Sequence, residues 1–204
     1  MNIKAIIFDL GRVLIDVDLN RGLFPLLINH SSNQPLALQE KLAVLFRNPL
    51  FRRFNTGQIS AQDFYRQISD RFGLTFSYPE FVHRWCDIFS EIEGMEQLVN
   101  QLTGKYRLGL LSDTDPLHWN FCVRRFSFLK LFPRPTLSFQ TGWLKPHPNS
   151  YRLAAEHVGL PADRCLLIDD RPVNVEGAQK IGMHALLFDN SHQLKKELIF
   201  LGLI

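Results

Sequence analysis

The sequence predicts an α/β fold: a parallel, doubly wound sheet with a helical cap inserted into it. The short apolar run Ala5–Phe8, rich in β-branched and aromatic residues, has the composition of a buried strand. From about Met95 onward, short apolar runs alternate with segments of helical periodicity. Such alternation is typical of right-handed crossovers in a parallel sheet that is covered on both faces.

The elements of the predicted core follow one another without long interruptions. Each predicted strand is preceded and followed by a segment with helical spacing of its apolar residues. In chain order, the pattern predicts a helix at 95–102, a strand at 107–111, a helix near 117–128, a strand near 136–139, a helix near 150–158, a strand at 164–168, a helix near 174–181, a strand at 184–188 and a closing helix that carries Leu194, Leu198 and Leu201.

Between the first strand and this core the periodicity is helical throughout. Ser60 with Asp63, and Ser77 with Glu80, have the spacing of capping boxes, and Pro25 should kink or restart a helix over 19–28. A block of this kind after one strand is typical of an insertion, so we predict a core of residues 1–16 and 93–204 and a helical cap of residues 17–92. The apolar positions behind the cap assignment are Leu38, Leu42, Leu45 and Phe46, then Phe64, Ile68 and Phe72, then Phe81, Trp85, Ile88 and Phe89.

Composition excludes several classes of partner. The 204 residues are 46% apolar and 21% charged, which suits a globular domain with a modest insertion. The net charge of +3 is small and its basic residues form no run, so we expect no nucleic-acid partner, and no segment has the apolar length that a membrane span needs. The scattered Cys86, Cys122 and Cys165 and the lack of a signal peptide favour a cytoplasmic protein with reduced thiols. The oligomeric state stays open between a monomer and a homodimer.

Polar residues stand at the carboxyl ends of three predicted strands. Asp9 follows the first strand, Ser112 and Asp113 follow the second, and Asp169 and Asp170 follow the fourth. Ligands of doubly wound sheets bind at this edge, where the strand order reverses. The loop 142–148, which leads into a helix, adds the cation Lys145.

These residues form four short motifs in a fixed order: Asp9-Leu-Gly-Arg-Val, Leu111-Ser-Asp, Lys145-Pro, and Asp169-Asp with Asn174. On these motifs the whole chain resembles the haloacid dehalogenase-like hydrolases, in particular phosphatases with a small helical cap. Asp-Leu-Gly in place of Asp-x-Asp, with segments 16–21 and 57–60, is similar to the bacterial α-D-glucose-1-phosphate phosphatases. The resemblance implies a Rossmann-like core with strand order 5-4-1-2-3 and hydrolysis of a small phosphorylated metabolite, such as a sugar 1-phosphate, through an aspartyl-phosphate.

The predicted site places a divalent ion between two carboxylates. Asp9 and Asp170 end adjacent strands, which lie about 4.8 Å apart, so they could share one Mg²⁺ with the Gly11 carbonyl as a third ligand. Asp9 would be the nucleophile.

The remaining site residues bind the phosphoryl group or support those that do. The Ser112 hydroxyl, the Asp113 N–H and Lys145 would hold the phosphoryl oxygens. Asp169 is expected to act through water, and Asn174 to orient Asp170 or Lys145.

One position departs from the family pattern. The phosphatases of this family usually carry a second Asp two residues after the nucleophile, as general acid and base, and here that position is Gly11. General acid–base catalysis is worth about 10²–10⁴ in rate. Either Asp16, Asp18 or His118 replaces the acid, or the substrate has a leaving group that needs little protonation, as in a sugar 1-phosphate or an acyl phosphate.

Other interpretations of the same residues stay open at this stage. Asp9 could be a turn residue, Asp169 and Asp170 an N-cap pair, Ser112 the cap of the following helix, and Lys145 a surface loop residue. The chain could also be a catalytically weak phosphate-binding or regulatory protein, with Gly11 marking lost turnover. A 2-haloacid dehalogenase would use the same nucleophile, but without a metal.

Overall fold

The computed structural model describes residues 2–31, 46 and 48–204. Its strands are β1 (Ala5–Phe8), β2 (Ile15–Val17), β3 (Phe89–Glu91), β4 (Arg107–Ser112), β5 (Thr136–Leu137), β6 (Cys165–Asp169) and β7 (His184–Leu187). Its helices are α1 (Phe24–Ser31), α2 (Pro49–Asn55), α3 (Ala61–Phe72), α4 (Tyr78–Cys86), α5 (Met95–Leu102), α6 (Pro116–Arg125), α7 (Ser138–Thr141), α8 (Pro148–Val158), α9 (Pro172–Gln179) and α10 (Ser191–Phe200), with 3₁₀ turns at Ser127–Leu131 and Ala162–Arg164.

The core is a parallel sheet in the order β5-β4-β1-β6-β7. Strand β1 is central, and its last residue, Phe8, lies opposite Leu110 on β4 and Ile168 on β6. These five strands are the third, second, first, fourth and fifth of the predicted core. Counted from the β7 edge, the order is therefore 5-4-1-2-3, which confirms the prediction.

Helices cover both faces of this sheet. Ile6 and Phe8 belong to one apolar cluster, together with residues of α5, α6 and α10. Ala5 and Ile7 belong to a second cluster, together with residues of α8 and α9. Because alternate residues of a strand point to opposite faces, the complete burial of all four residues requires a helical layer on each side.

The helices α1 to α4 pack around a separate apolar cluster, which is rich in aromatic rings. The Phe54 and Phe64 rings stack at 4.1 Å between centroids, and Trp85 contacts several neighbouring rings. This helical layer is connected to the core by the antiparallel pair β2 and β3, in which Val17 lies opposite Phe89. The pair lies at both ends of the predicted cap, whose bounds of 17–92 stay a prediction.

Several predicted element boundaries differ from the structure. Phe89 was expected in a helix but lies in β3, because α4 ends at Cys86 and the chain then pairs with β2. The strand expected near 136–139 ends at Leu137, and helix α7 follows at once. Pro25 lies in the first turn of α1, where proline is tolerated. The predicted helical positions Leu38, Leu42 and Leu45 lie outside the described residues.

Other local predictions are confirmed. Ser60 Oγ accepts a hydrogen bond from the Asp63 N–H, and Ser77 Oγ accepts one from the Glu80 N–H, so both serines cap their helices. The three cysteines are buried and carry free thiols. Within the described ranges, no helix combines the length and the apolarity that crossing a bilayer would require.

The stacked ring of Phe64 provides a test of the cap packing. Because Phe64 is fully buried, Phe64→Ala should lower the free energy of unfolding by about 3–5 kcal/mol through lost burial and a new cavity. Urea denaturation followed by circular dichroism measures the change. Phe200, which is 85% exposed, is the matched control, and Phe200→Ala should stay within about 0.5 kcal/mol. Equal effects of the two substitutions would contradict the packing.

Candidate active site

The polar ends of β1, β4 and β6 meet at one cavity of about 260 Å³. Asp9, Ser112, Asp113, Lys145 and Asp170 all line it. The sheet topology explains the meeting, because β1 lies between β4 and β6 and all three strands run in the same direction. The residues predicted from four distant stretches of sequence are therefore neighbours in space.

Lys145 is the buried centre of this cluster. Its Nζ lies 2.8 Å from Asp9 Oδ1 and 2.6 Å from Asp169 Oδ2, and it donates to the Leu111 carbonyl at 3.4 Å. Its backbone N–H donates to the Asp113 carboxylate at 3.0 Å. The side chain is only 2% exposed, so the interpretation of Lys145 as a surface loop residue is wrong.

Charge and burial act in opposite directions on Lys145. Burial favours the neutral amine, but the carboxylates of Asp9, Asp169 and Asp113 outweigh it and raise the pKa of Lys145 above its usual value. Burial raises the pKa of Asp9 to about 7, an effect that Lys145 opposes and Asp169 reinforces. Lys145 is therefore a fixed cation at the end of the central strand.

Asp169 is paired with Lys145 and with two other groups of the protein, and its predicted action through water stays a prediction. Its Oδ2 is paired directly with Lys145, and its Oδ1 accepts from the Arg171 N–H at 3.0 Å and from Asn174 Nδ2 at 2.9 Å. Asp169 thus orients Lys145 without an intervening water. Asn174 contacts Asp169, and its predicted role of orienting Asp170 or Lys145 stays a prediction.

Two helix-capping alternatives for the site residues are wrong. The N-cap of α9 is Arg171, so Asp169 and Asp170 are not its N-cap pair. The N-cap of α6 is Asp115, whose Oδ1 accepts from the N–H groups of Leu117 and His118, so Ser112 does not cap this helix. Asp115 was missed as a site residue, although an Asp directly before a proline is a common start signal of a helix.

The acidic residues of the cavity suit a divalent cation. Carboxylate oxygens of Asp9, Asp169 and Asp170 lie within 4.8 Å of one another. Three carboxylates thus lie close to one ammonium group. Burial and the charge of Asp169 raise the pKa of Asp170. Among the residues that the structure describes, Asn174 Oδ1 is buried without a hydrogen-bond partner, and Asn174 lines the cavity. Hard oxygen donors and an unsatisfied amide oxygen fit a bound Mg²⁺ with its waters.

Gly11 lines the cavity, and the space around it is too narrow for a side chain to enter without a shift of its neighbour. A Cβ built on Gly11 would lie 3.1 Å from Val17 Cγ2. The next residue, Arg12, has a φ of 61°, which is in the left-handed region. A strained residue of this kind beside a polar cluster is typical of functional sites.

The three residues that could replace the missing acid are not placed for it. Asp16 and Asp18 do not belong to the described lining of the cavity, and Asp18 Oδ1 is engaged by Asn20. His118 does line the cavity, but its Nδ1 lies 2.9 Å from Asp115 Oδ2 and its Nε2 lies 2.9 Å from the Trp85 carbonyl oxygen. Both ring nitrogens of His118 are thus used within the protein.

The side of the cavity that faces the helical layer is apolar. Trp85 is held there by its indole N–H, which donates to Asp115 Oδ2 at 3.1 Å, and by the His118 ring, which stacks on it at 5.0 Å. Sequence reasoning missed this wall because its residues carry only the signature of a core. We call it the apolar wall, and it is formed by Val17, Leu19, Phe24, Phe51, Trp85 and Phe89.

Comparison with known proteins agrees with this geometry. The haloacid dehalogenase-like hydrolase family model matches residues 3–182. The D-ribitol-5-phosphate phosphatase of Bacteroides thetaiotaomicron is 23% identical over 96% of this chain and 97% of its own length. Flavin mononucleotide hydrolase 1 of Arabidopsis thaliana is 30% identical over 56% of this chain and 47% of its own.

A solved structure extends the similarity to the whole fold. A haloacid dehalogenase family enzyme of Bacteroides thetaiotaomicron, in complex with magnesium and inorganic phosphate, superposes with a TM-score of 0.78 at 25% identity. The match covers 94% of this chain and 98% of that one. The predicted family resemblance is confirmed. The chain belongs to the haloacid dehalogenase-like hydrolases.

Proposed function

We propose that this hydrolase is a Mg²⁺-dependent phosphatase that acts on a small phosphorylated metabolite. The observation that carries the proposal is the buried Lys145 ammonium, shared between Asp9 and Asp169 beside the Asp170 carboxylate. Phosphoryl transfer needs fixed positive charge around an anionic centre, and Lys145 together with a cation held by the carboxylates would supply it. The phosphatase relatives, and the related enzyme that binds magnesium and phosphate, support the same reaction.

The metal would be held by the Asp9 and Asp170 carboxylates and the Gly11 carbonyl. A bound Mg²⁺ supplies positive charge to the phosphoryl oxygens and screens them from Asp9. On the side of the protein, the Ser112 hydroxyl, the Asp113 N–H and the Lys145 ammonium would contact the same oxygens. Asp169 holds Lys145 in place for this purpose, and Asn174 holds Asp169.

Asp9 is the proposed nucleophile. Its contacts with the Leu10 N–H and with Lys145, among the described residues, both use Oδ1. Oδ2 can therefore attack phosphorus, forming the O–P bond of an aspartyl-phosphate while the bond to the leaving-group oxygen breaks. The leaving oxygen takes a proton from solvent. Water then attacks the aspartyl-phosphate, which releases inorganic phosphate and restores the Asp9 carboxylate.

Two other functions stay as alternatives. A weakly catalytic phosphate-binding protein is favoured by the absence of a proton donor at Gly11, and it would give one burst of product without sustained turnover. A 2-haloacid dehalogenase needs no metal, so Asp170 would have no role in it. The three-carboxylate cluster favours the phosphatase.

Metal binding can be tested without measuring activity. We expect Mg²⁺ to raise the melting temperature, because an ion that binds only the folded chain stabilises it. Asp170→Asn should remove most of this shift, since it takes away one carboxylate ligand. The exposed Asp163 provides the control, and Asp163→Asn should keep the shift. An unchanged Mg²⁺ response in Asp170→Asn would contradict the assigned ligand.

The missing general acid predicts a preference between sugar phosphates. An anomeric oxygen is a less basic leaving group than a primary alkoxide. Glucose 1-phosphate should therefore be hydrolysed faster than glucose 6-phosphate, by about tenfold or more in kcat/KM. Phosphate release in the presence of Mg²⁺ measures both rates, with Asp9→Asn as the inactive blank. Equal or reversed rates would refute the preference.

Restoring the acid is the converse experiment. Gly11→Asp should speed the hydrolysis of glucose 6-phosphate by about tenfold or more, because a poor leaving group gains most from a proton donor. Its Cβ would press on Val17, so Gly11→Asp with Val17→Ala is the preferred variant. Val17→Ala alone is the matched control. If the double variant gains nothing over that control, a missing acid does not limit turnover.

A further inference from the structure

We infer that the leaving group of the substrate is a flat apolar ring, of the phenol type, which carries the ester oxygen directly. This inference rests on the proposed function, and it names the class of phosphate ester that the cavity selects. It is drawn from the chemistry of the cavity surface, which is divided into two unlike halves.

The polar half of the cavity is the part that binds the phosphoryl group in the proposed reaction. Asp9, Ser112, Lys145 and Asp170 lie together at the strand ends, so the phosphorus atom must lie there for Asp9 to reach it. The leaving group then extends away from the sheet. In that direction it meets the apolar wall, in which aromatic side chains from α1, α2 and α4 take part.

Polar groups beside the apolar wall are already satisfied within the protein. The Trp85 N–H is used by Asp115, whose two oxygens accept four hydrogen bonds from Leu117, His118 and Trp85. Both nitrogens of His118 are also engaged. Among the described residues of the helical layer, Asn55 is the single polar side chain that lines the cavity.

A sugar or polyol fits this half of the cavity poorly. Its hydroxyl groups would lose water and find few partners, and buried polar groups without partners are costly. A flat ring loses nothing of this kind, and it gains from burial against aromatic side chains. The apolar wall therefore discriminates against polyols and in favour of rings.

The surroundings of the ester oxygen lead to the same class. Val17 Cγ2 would lie 3.1 Å from a Cβ at Gly11, so an apolar methyl group lies close to the position at which a proton donor is usual. The leaving oxygen must therefore depart with little help. A phenolic oxygen has a pKa near 10 and leaves more readily than an alkoxide. A sugar 1-phosphate also has a leaving oxygen of low basicity, but its hydroxyl groups would face the apolar wall.

Inhibition by phosphonates separates binding from leaving-group reactivity. Phenylphosphonate and methylphosphonate carry a C–P bond that is not hydrolysed. They differ only in the group on phosphorus, which is a phenyl ring in one and a methyl group in the other. Phenylphosphonate should inhibit the turnover of p-nitrophenyl phosphate with an inhibition constant at least about tenfold lower. Leu19→Asn, which makes the apolar wall polar, should remove most of this difference. Ile199→Asn, on the exposed side of α10, should preserve it.

A second comparison uses substrates. Phenyl phosphate should show a lower KM than glucose 1-phosphate. Asn55→Leu should leave the KM for phenyl phosphate unchanged. Equal inhibition by the two phosphonates, or a lower KM for glucose 1-phosphate that rises in Asn55→Leu, would overturn the ring preference while the phosphatase proposal stands. A lack of sustained, Mg²⁺-dependent phosphate release from every ester would instead overturn the proposed function.

Discussion

The buried ammonium of Lys145 is the interaction on which the site depends. Without it, the carboxylates of Asp9, Asp169 and Asp113 at the ends of the central strands would repel one another. Lys145 neutralises part of this charge, and in doing so it ties the loop before α8 to β1 and β6. One ion-paired lysine thus joins parts of the chain that are far apart in sequence. Because the group is buried, solvent screens this pairing much less than it would at the surface.

The same arrangement leaves a role for a divalent cation. One ammonium cannot balance Asp9, Asp169 and Asp170 together, and the raised pKa of Asp9 reflects the cost of burying its charge. A bound metal would remove that cost. The chemistry of the site and the stability of its ionised form therefore have a common electrostatic origin.

The helical layer contributes a surface of the opposite character. Its aromatic cluster packs on itself, and part of that cluster forms the apolar wall of the cavity. Trp85 belongs to both, and Asp115 and His118 of the core fix its position. A substrate would be bound between the charged residues at the strand ends and the apolar wall. The apolar wall would then determine which leaving group is accepted, while the reaction would take place at the strand ends.

The order of the core strands came from the family resemblance, and the sequence by itself determined the fold class and the residues at the strand ends. It could do so because short apolar runs and helical periodicity are local signals, and because parallel strands bring their carboxyl ends to one edge. The predicted role of Lys145 also came from the sequence, through the family motifs.

Only the tertiary structure decided how these residues contact one another. The partner of Asn174 is only five residues away, but which of the neighbouring groups it contacts depends on how the side chains pack. The contact of Asp169 with Lys145 and that of His118 with the Trp85 carbonyl join segments far apart in the chain. The strand at Phe89 was missed for the same reason, since its partner at Val17 lies far earlier. The apolar wall could not be read either, because a phenylalanine that lines a cavity and one that fills a core have the same periodicity. Side-chain pairing is set by packing in three dimensions, and no local pattern records it.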